Sequence, residues 1–279
     1  MTRMVKLTVW TTIFFTGLIV GNAFGQHDLH QLHDFKGVEK LNYDSLYSTA
    51  IDLEKSEAGA KLLADCIEKY GGEKKIGELQ SFRLSYEMKA RILGPEPVEI
   101  TKIFQRNRKY KVSREKTDGS EQRILNGDRA WFAGRDSTYE LSGSRYKSEL
   151  FSYLTLAMPL AARTERFDGI RFGTRDSDSL EYIYMDKKDS LMIVIGIDPV
   201  DKLIKSSEGY IRQNKGGIVF INYFSDFRKI DGYIFPHHLT NISMGLEVGK
   251  SQLTGVEINV NFDDNEFSPG KQTANKKTY

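Results

Sequence analysis

The sequence is poor in several features by which common classes of protein are recognised. It contains one cysteine, Cys66, which excludes an internal disulfide, so a chain of this length must depend on its apolar core for stability. Basic and acidic residues number 40 and 38, and this near neutrality provides no long-range electrostatic field toward nucleic acid or an anionic membrane. We therefore expect neither of these as a partner.

The sequence also lacks the short motifs of the common enzyme classes. It has no Gly-x-Ser-x-Gly elbow, no Gly-x-Gly-x-x-Gly pattern and no phosphate-binding loop. Its paired carboxylates lie in predicted turns, where capping is a more common role than acid–base catalysis: Asp176/Asp178, Asp198/Asp201 and Asp263/Asp264. An enzyme would require a convergent polar site, which the pattern does not display. We expect a protein that is not an enzyme and that binds no cofactor.

Residues 1–25 have the pattern of a cleavable export signal. Arg3 and Lys6 form a positive region, an apolar run extends over residues 7–20, and small residues precede Gln26. A membrane anchor is the alternative, but a spanning helix needs about 20 apolar residues and this run is shorter and contains four threonines. We expect cleavage before Gln26, which leaves 38 residues of each charge and no transmembrane segment. With no cysteine at the cleavage point, the mature chain is predicted to be soluble, without a lipid anchor, in the periplasm or otherwise exported.

The five histidines lie in two places. His27, His30 and His33 belong to a polar N-terminal extension, residues 26–55, and on a helix their spacing would allow a metal site. A solvated segment is the simpler interpretation, so we predict no metal. His237 and His238 are adjacent on a predicted strand and should point to opposite faces, one buried and hydrogen-bonded and the other exposed.

Residues 56–269 have the pattern of one β-rich domain, and a polar tail follows at residues 270–279. Leu62, Cys66 and Tyr70 belong to an apolar stripe at helical spacing, which predicts a helix that ends at Gly71-Gly72. Cys66 lies in the middle of this stripe and should be buried and unreactive. Residues 82–92 alternate strictly between apolar and polar, which predicts a strand with one face on a core and one in water.

Many further strands are predicted between turns rich in glycine, asparagine and aspartate: 98–104, 109–114, 122–125, 130–133, 138–141, 169–174, 180–186, 191–197, 203–211, 218–228, 233–242 and 253–262. Residues 191–197 are apolar on both faces and should be central. The apolar segment 146–162 predicts a second helix. So many strands must curl, and the predicted fold is mainly β with two or three helices: a curled antiparallel sheet, a half-barrel, with a helix packed in its concavity.

Several stretches resemble the LolA-like family of periplasmic lipoprotein carriers and its relatives in outer-membrane lipoprotein sorting. They are KYGGEKK at 69–75, NGDRAW at 126–131, IDPVDKL at 197–203, and, most specifically, DFRKIDGYIFP at 226–236 followed by FSP at 267–269. These motifs mark turns and strands rather than chemistry, and the resemblance covers about residues 56–269. It implies a half-barrel whose concave apolar face takes acyl chains.

The residues that we predict to bind a ligand are large side chains expected to face the concavity: Trp131, Leu150, Tyr153, Leu154, Met158, Tyr182, Tyr184 and Phe220. Helix 146–162 is either a plug that fills the concavity or a lid that swings away from it. The expected function is binding of a lipid or a lipid-modified protein. The alternative is an envelope scaffold with a filled core, whose rim contacts a partner protein.

A basic run with interleaved aromatic residues, 102–116, has a composition that nucleic acid binds. Export and overall neutrality favour another interpretation. We predict a solvated hairpin.

Overall fold

The computed structural model describes residues 50–90, 96–116, 119–156, 158–175, 178–187, 191–213 and 216–269. In these ranges fourteen strands form one antiparallel sheet. The strands are β1 (Ile51–Asp52), β2 (Ser81–Lys89), β3 (Val98–Gln105), β4 (Lys109–Lys116), β5 (Gly119–Asn126), β6 (Arg129–Ala133), β7 (Thr138–Leu141), β8 (Gly169–Thr174), β9 (Glu181–Lys187), β10 (Leu191–Ile197), β11 (Ile204–Gln213), β12 (Gly216–Ile230), β13 (Tyr233–Ser243) and β14 (Leu246–Ile258). The sheet does not close on itself, which confirms the predicted half-barrel.

The strand order shows how the chain builds this sheet. β2 to β7 form one meander and β8 to β14 a second, and the two are joined where β14 pairs with β2. The short strand β1 lies outside both meanders, pairs with β8 and forms one edge, although its residues fall in the predicted polar extension. The central position predicted for residues 191–197 is confirmed, since all seven are buried.

Four helices accompany the sheet in the described residues: α1 (Glu57–Lys69), α2 (Gly72–Glu78), α3 (Ser144–Leu156) and α4 (Ala161–Thr164). None of them is both long and apolar enough to cross a membrane. The side chain of Ser56 caps α1 by accepting a hydrogen bond from the Gly59 amide at 3.0 Å. Gly71 and Gly72 both have positive φ, a conformation that disfavours other residues, and α2 follows α1 at this point. The pattern did not predict α2.

Helix α3 lies in the concavity and packs against β4, β5, β6, β10 and β11. The predicted single helix over residues 146–162 was wrong in its extent, because α3 ends at Leu156 and α4 begins at Ala161. Pro159 accounts for the interruption, since it has no amide hydrogen to donate and disfavours helical backbone in the preceding residue. The helix approaches the sheet closely at Gly209, where an added Cβ would lie 2.7 Å from the Phe151 ring.

Both faces of the sheet carry clusters of buried apolar residues. The main core lies on the concave face and joins the sheet to the helices, with Cys66 of α1, Leu154 of α3 and Phe82 of β2 all buried. On the convex face, Phe262 and Phe267 from the segment after β14 pack on a cluster with Ile103 and Ile124. The burial predicted for Cys66 is confirmed, and burial raises the pKa of its thiol to about 12.

Candidate functional site

An apolar cavity of about 90 Å³ lies in the concavity at the C-terminal end of α3. Helix α2, strands β2, β12 and β13, and the segment that follows α3 form its walls. Its lining includes Ile76 of α2 and the following Leu79, Leu84 and Tyr86 of β2, Phe224 and Phe227 of β12, Tyr233, Phe235 and Leu239 of β13, and Thr155, Leu156, Met158, Pro159 and Leu160. This lining suits a hydrocarbon group.

The cavity lies where the sheet is interrupted. β13 and β14 pair only over residues 238–243 of β13 and 246–252 of β14. Beyond these residues β14 continues to pair with β2, and β13 continues to pair with β12. The rings of Phe82 and Phe235 contact each other across this interruption, with centroids 6.0 Å apart. Side chains, rather than a backbone ladder, therefore close the sheet beside the cavity.

A row of buried polar side chains crosses the concave face of β11, β12 and β13. The Asn241 amide donates to Asn222 at 2.8 Å, and the Asn222 amide donates to Ser207 at 3.1 Å. All three side chains are buried. Buried amides must find partners, and this row satisfies part of that requirement internally.

Lys102 lies near this row, on the concave face of β3. Its neighbours across the ladder are Leu84 of β2 and Val112 of β4. Its ammonium nitrogen is 5.0 Å from the centre of the Tyr86 ring, a cation–π contact. Burial, with a smaller contribution from the charge of Arg123, lowers the pKa of Lys102 to about 8.

Two small cavities beside Lys102 share lining residues with the apolar cavity. One, of about 30 Å³, is lined by Lys102 and Asn222 and shares Thr155, Leu156 and Phe224 with the apolar cavity. The other, of about 10 Å³, is lined by Lys102 together with Tyr86, which also faces the apolar cavity, and with Tyr110, Asn241 and Ser251. The concavity thus changes from apolar to polar and cationic over a short distance.

An ion pair holds the middle of α3 in the concavity. Glu149 of α3 is fully buried, and one of its carboxylate oxygens lies 3.2 Å from the Arg123 guanidinium of β5. Removing one partner of a buried pair leaves an uncompensated charge in the interior. In this structure α3 therefore lies in the concavity as a plug, and the apolar cavity is at its last turn.

The structure separates the eight predicted ligand-binding residues into three groups. Leu150, Tyr153, Leu154 and Phe220 are buried in the concave core, where they fill space and do not line the apolar cavity. Met158 lines it.

Trp131, Tyr182 and Tyr184 are on the convex face, so the expectation that they face the concavity was wrong. Side chains alternate along a strand, and on β9 it is Ile183 and Met185 that join the concave core. Trp131 instead packs with the cluster of Phe262 and Phe267.

The basic run 102–116 does not form a solvated hairpin. The Arg106 guanidinium donates to the carbonyls of Leu79 and Gly77, both at 2.8 Å, at the C-terminus of α2. Arg108 pairs with Glu165 at 3.1 Å. The remaining paired cations are Lys109 with Asp264, Lys111 with Glu266, and Arg114 with Glu121. These positive charges stabilise the fold instead of forming a surface for nucleic acid.

The two adjacent histidines differ in exposure as predicted, but not in bonding. His238 is exposed and His237 is partly buried. The Nε2 atom of His237 is buried and has no hydrogen-bond partner in the part of the chain that the structure describes, so the predicted bond is not made there. His27, His30 and His33 lie outside the described residues. Within those residues no three metal-ligating side chains come together.

Sequence comparison finds no relative, since no family model and no curated protein matches the chain. Comparison with solved structures, in contrast, finds proteins of similar fold. A LolA superfamily protein from Nitrosomonas europaea is 11% identical, with a TM-score of 0.51 over 75% of this chain and 97% of that one. An outer membrane lipoprotein-sorting protein domain from Vibrio parahaemolyticus, 10% identical, gives a TM-score of 0.45 over 74% and 94% of the two chains. The first of these similarities confirms the resemblance seen in the sequence: the chain has the LolA-like fold.

Proposed function

We propose that this protein, once exported, binds an acyl chain of a lipid or of a lipid-modified protein in its concavity, without catalysing a reaction. The apolar cavity at the end of α3 is the observation that carries this proposal. The LolA-like fold is consistent with it, as is the N-terminal pattern of an export signal. A carrier needs an apolar site that opens to a surface, and the cavity lies where the sheet ladder is interrupted.

The size of the cavity limits how much of a chain it holds in this structure. A volume of about 90 Å³ is enough for a few water-sized groups and not for a chain of twelve carbons. Binding a longer chain requires the segment 158–160, which precedes α4, to move outward. That segment contributes Met158, Pro159 and Leu160 to the wall, so its displacement would extend the cavity directly.

The energetics allow such binding. Each buried methylene contributes about 0.8 kcal/mol, so a twelve-carbon chain gains up to roughly 10 kcal/mol. The loss of translational and rotational freedom, and the ordering of the chain, cost at least several kcal/mol of this. The expected affinity is moderate, as suits a protein that must release its cargo.

Calorimetric titration of the purified mature protein with dodecanol and dodecanoate tests the proposal. Met158→Asp places a charge in the cavity wall and should weaken binding of both compounds by about tenfold or more. Val200→Asp is the matched control, since Val200 lies in a turn and is 88% exposed. If neither compound binds the wild type, or if the folded Met158→Asp variant binds both unchanged, acyl-chain binding at this cavity is ruled out.

A scaffold function is the second candidate, and one observation favours it. The concavity along α3 is filled, with Phe151 and Leu154 completely buried. A scaffold would use its rim and require no cavity. Absence of binding in the titration described above would select this function over the carrier.

A further inference from the structure

We propose that Lys102 binds the carboxylate headgroup of an amphiphile whose hydrocarbon chain occupies the apolar cavity. This inference rests on the proposed function and deepens it, because it specifies the chemical class of the ligand. The ligand would be a long-chain carboxylate, oriented with its chain toward the end of α3 and its charge toward the polar row of Asn222 and Asn241.

The first argument is the environment of Lys102. Its side chain points to the concave face between Leu84 and Val112, both apolar. Its contact at the ammonium is the face of the Tyr86 ring. No carboxylate among the described residues forms an ion pair with it. An ammonium group in such surroundings is costly unless something compensates its charge.

The second argument is the contrast with the neighbouring cations. Arg114 on β4 pairs with Glu121, and Arg123 on β5 pairs with Glu149 of α3. These two arginines and Lys102 belong to adjacent strands of the same meander and share its concave face. Each of these arginines has a carboxylate partner, whereas no carboxylate among the described residues forms an ion pair with Lys102. Lys102 is therefore a cation of this face that an anionic ligand would neutralise.

The third argument is continuity between the chain site and the charge. Lys102 lines a small cavity with Thr155, Leu156 and Phe224, and these three residues also line the apolar cavity. The two cavities therefore adjoin at these three residues, so a chain bound in the apolar cavity would lie next to the cavity that Lys102 lines. Asn222 and Asn241 line the two cavities beside Lys102 and offer polar atoms to a headgroup oxygen.

The charge balance selects a carboxylate over a phosphate monoester. One ammonium neutralises one negative charge, which is what a carboxylate carries. A phosphate monoester carries about −1.5 to −2 at neutral pH and would leave part of its charge uncompensated in the concavity. The small volume beside Lys102, about 30 Å³, also favours the smaller group.

The test compares four probes at pH 7 by calorimetry: dodecanoate, dodecanol, dodecyl phosphate and acetate. The wild type should bind dodecanoate about tenfold or more tightly than dodecanol, because a charge-assisted contact is worth roughly 1.5 kcal/mol or more. Acetate should not bind measurably. Lys102→Met should bind dodecanol as the wild type does and lose the preference for dodecanoate. Lys89→Met, which removes an exposed charge from β2, should keep it.

The outcomes separate the two proposals. If dodecanol and dodecanoate bind the wild type equally, or if Lys102→Met keeps the preference, the role of Lys102 is refuted and the carrier function stands. Tighter binding of dodecyl phosphate than of dodecanoate refutes the assignment of a carboxylate. If neither twelve-carbon probe binds the wild type, the carrier function itself fails. The wild-type comparison decides the matter even if the variant does not fold.

Discussion

Replacing Lys102 by methionine should stabilise the folded protein at neutral pH. Lysine normally titrates at 10.5, and burial lowers the pKa of Lys102 to about 8 in the folded state. The folded state thus disfavours the charged form that the unfolded chain keeps. Each pKa unit corresponds to about 1.36 kcal/mol, so the penalty reaches roughly 3 kcal/mol. Methionine fills similar space without the charge.

The titration of Lys102 determines how the stability advantage of this variant changes with pH. Below about pH 8 both states hold the proton and the wild type bears the full penalty. Between about 8 and 10.5 the folded state releases its proton first, so the stability contributed by this residue rises with pH. Above pH 10.5 both states are neutral at this residue, so the penalty is gone. The advantage of Lys102→Met should therefore be about 1–3 kcal/mol at pH 7 and should shrink toward zero near pH 10.5.

Urea denaturation at the two pH values measures this difference, and thermal unfolding at pH 7 should show a rise in Tm of about 2–4 °C for each kcal/mol. Lys89→Met serves as the control, since its side chain is exposed and its removal should change stability little. If Lys102→Met is no more stable than the wild type at pH 7, or if its advantage is the same at both pH values, the placement of the ammonium in the concavity is wrong.

Further predictions concern burial, packing and processing. Cys66 should resist thiol reagents without denaturant, because it is fully buried and its pKa is raised to about 12. Glu149→Ala should destabilise the fold by about 3–5 kcal/mol in urea denaturation, since it removes a buried carboxylate that pairs with the buried Arg123 guanidinium. Gly209→Ala should cost about 1–3 kcal/mol by the same measurement, because the new methyl meets Phe151. Intact-mass measurement of protein from the envelope should show a chain that begins at Gln26.

Matched controls make these outcomes decisive. Glu140→Ala breaks an exposed ion pair with Arg129 and should cost less than about 1 kcal/mol. Gly255→Ala adds a methyl at ordinary contact distance, 3.5 Å from Ser85. Equal losses for Glu149 and Glu140, or for the two glycines, would contradict the packing of α3 in the concavity. Rapid labelling of Cys66 would contradict its burial, and retention of residues 1–25 would contradict cleavage.

The β framework was predictable because its signals are local. Alternation over residues 82–92 placed β2 nearly correctly, and the doubly apolar run 191–197 marked a central strand. Turn residues separated the remaining strands. The helix over 146–162 was predicted too long because an apolar stripe continues past the point where Pro159 interrupts the backbone hydrogen bonds.

The site was less predictable because both faces of this sheet carry buried apolar and aromatic residues. Alternation divides the residues of a strand into two sets but does not say which set faces the concavity, and on β9 the tyrosines were assigned to the wrong one. Lys102 was missed for a related reason. Its alternation with Ile100 and Phe104 was the available signal, but Ile103, buried on the convex face, obscured it.

The seam between β14 and β2 has a consequence for how the domain assembles during synthesis. The Thr254 hydroxyl donates to the Ser85 carbonyl across 169 positions of sequence, so the two meanders join only after nearly the whole domain has been made. Until then β2 presents a long unpaired edge in what becomes the middle of the sheet, and such edges invite pairing with other chains. A chain truncated before β14 should therefore aggregate rather than fold as a smaller half-barrel. Delaying completion of the fold to the last strand also keeps the chain unfolded for longer, which would suit the export that we propose.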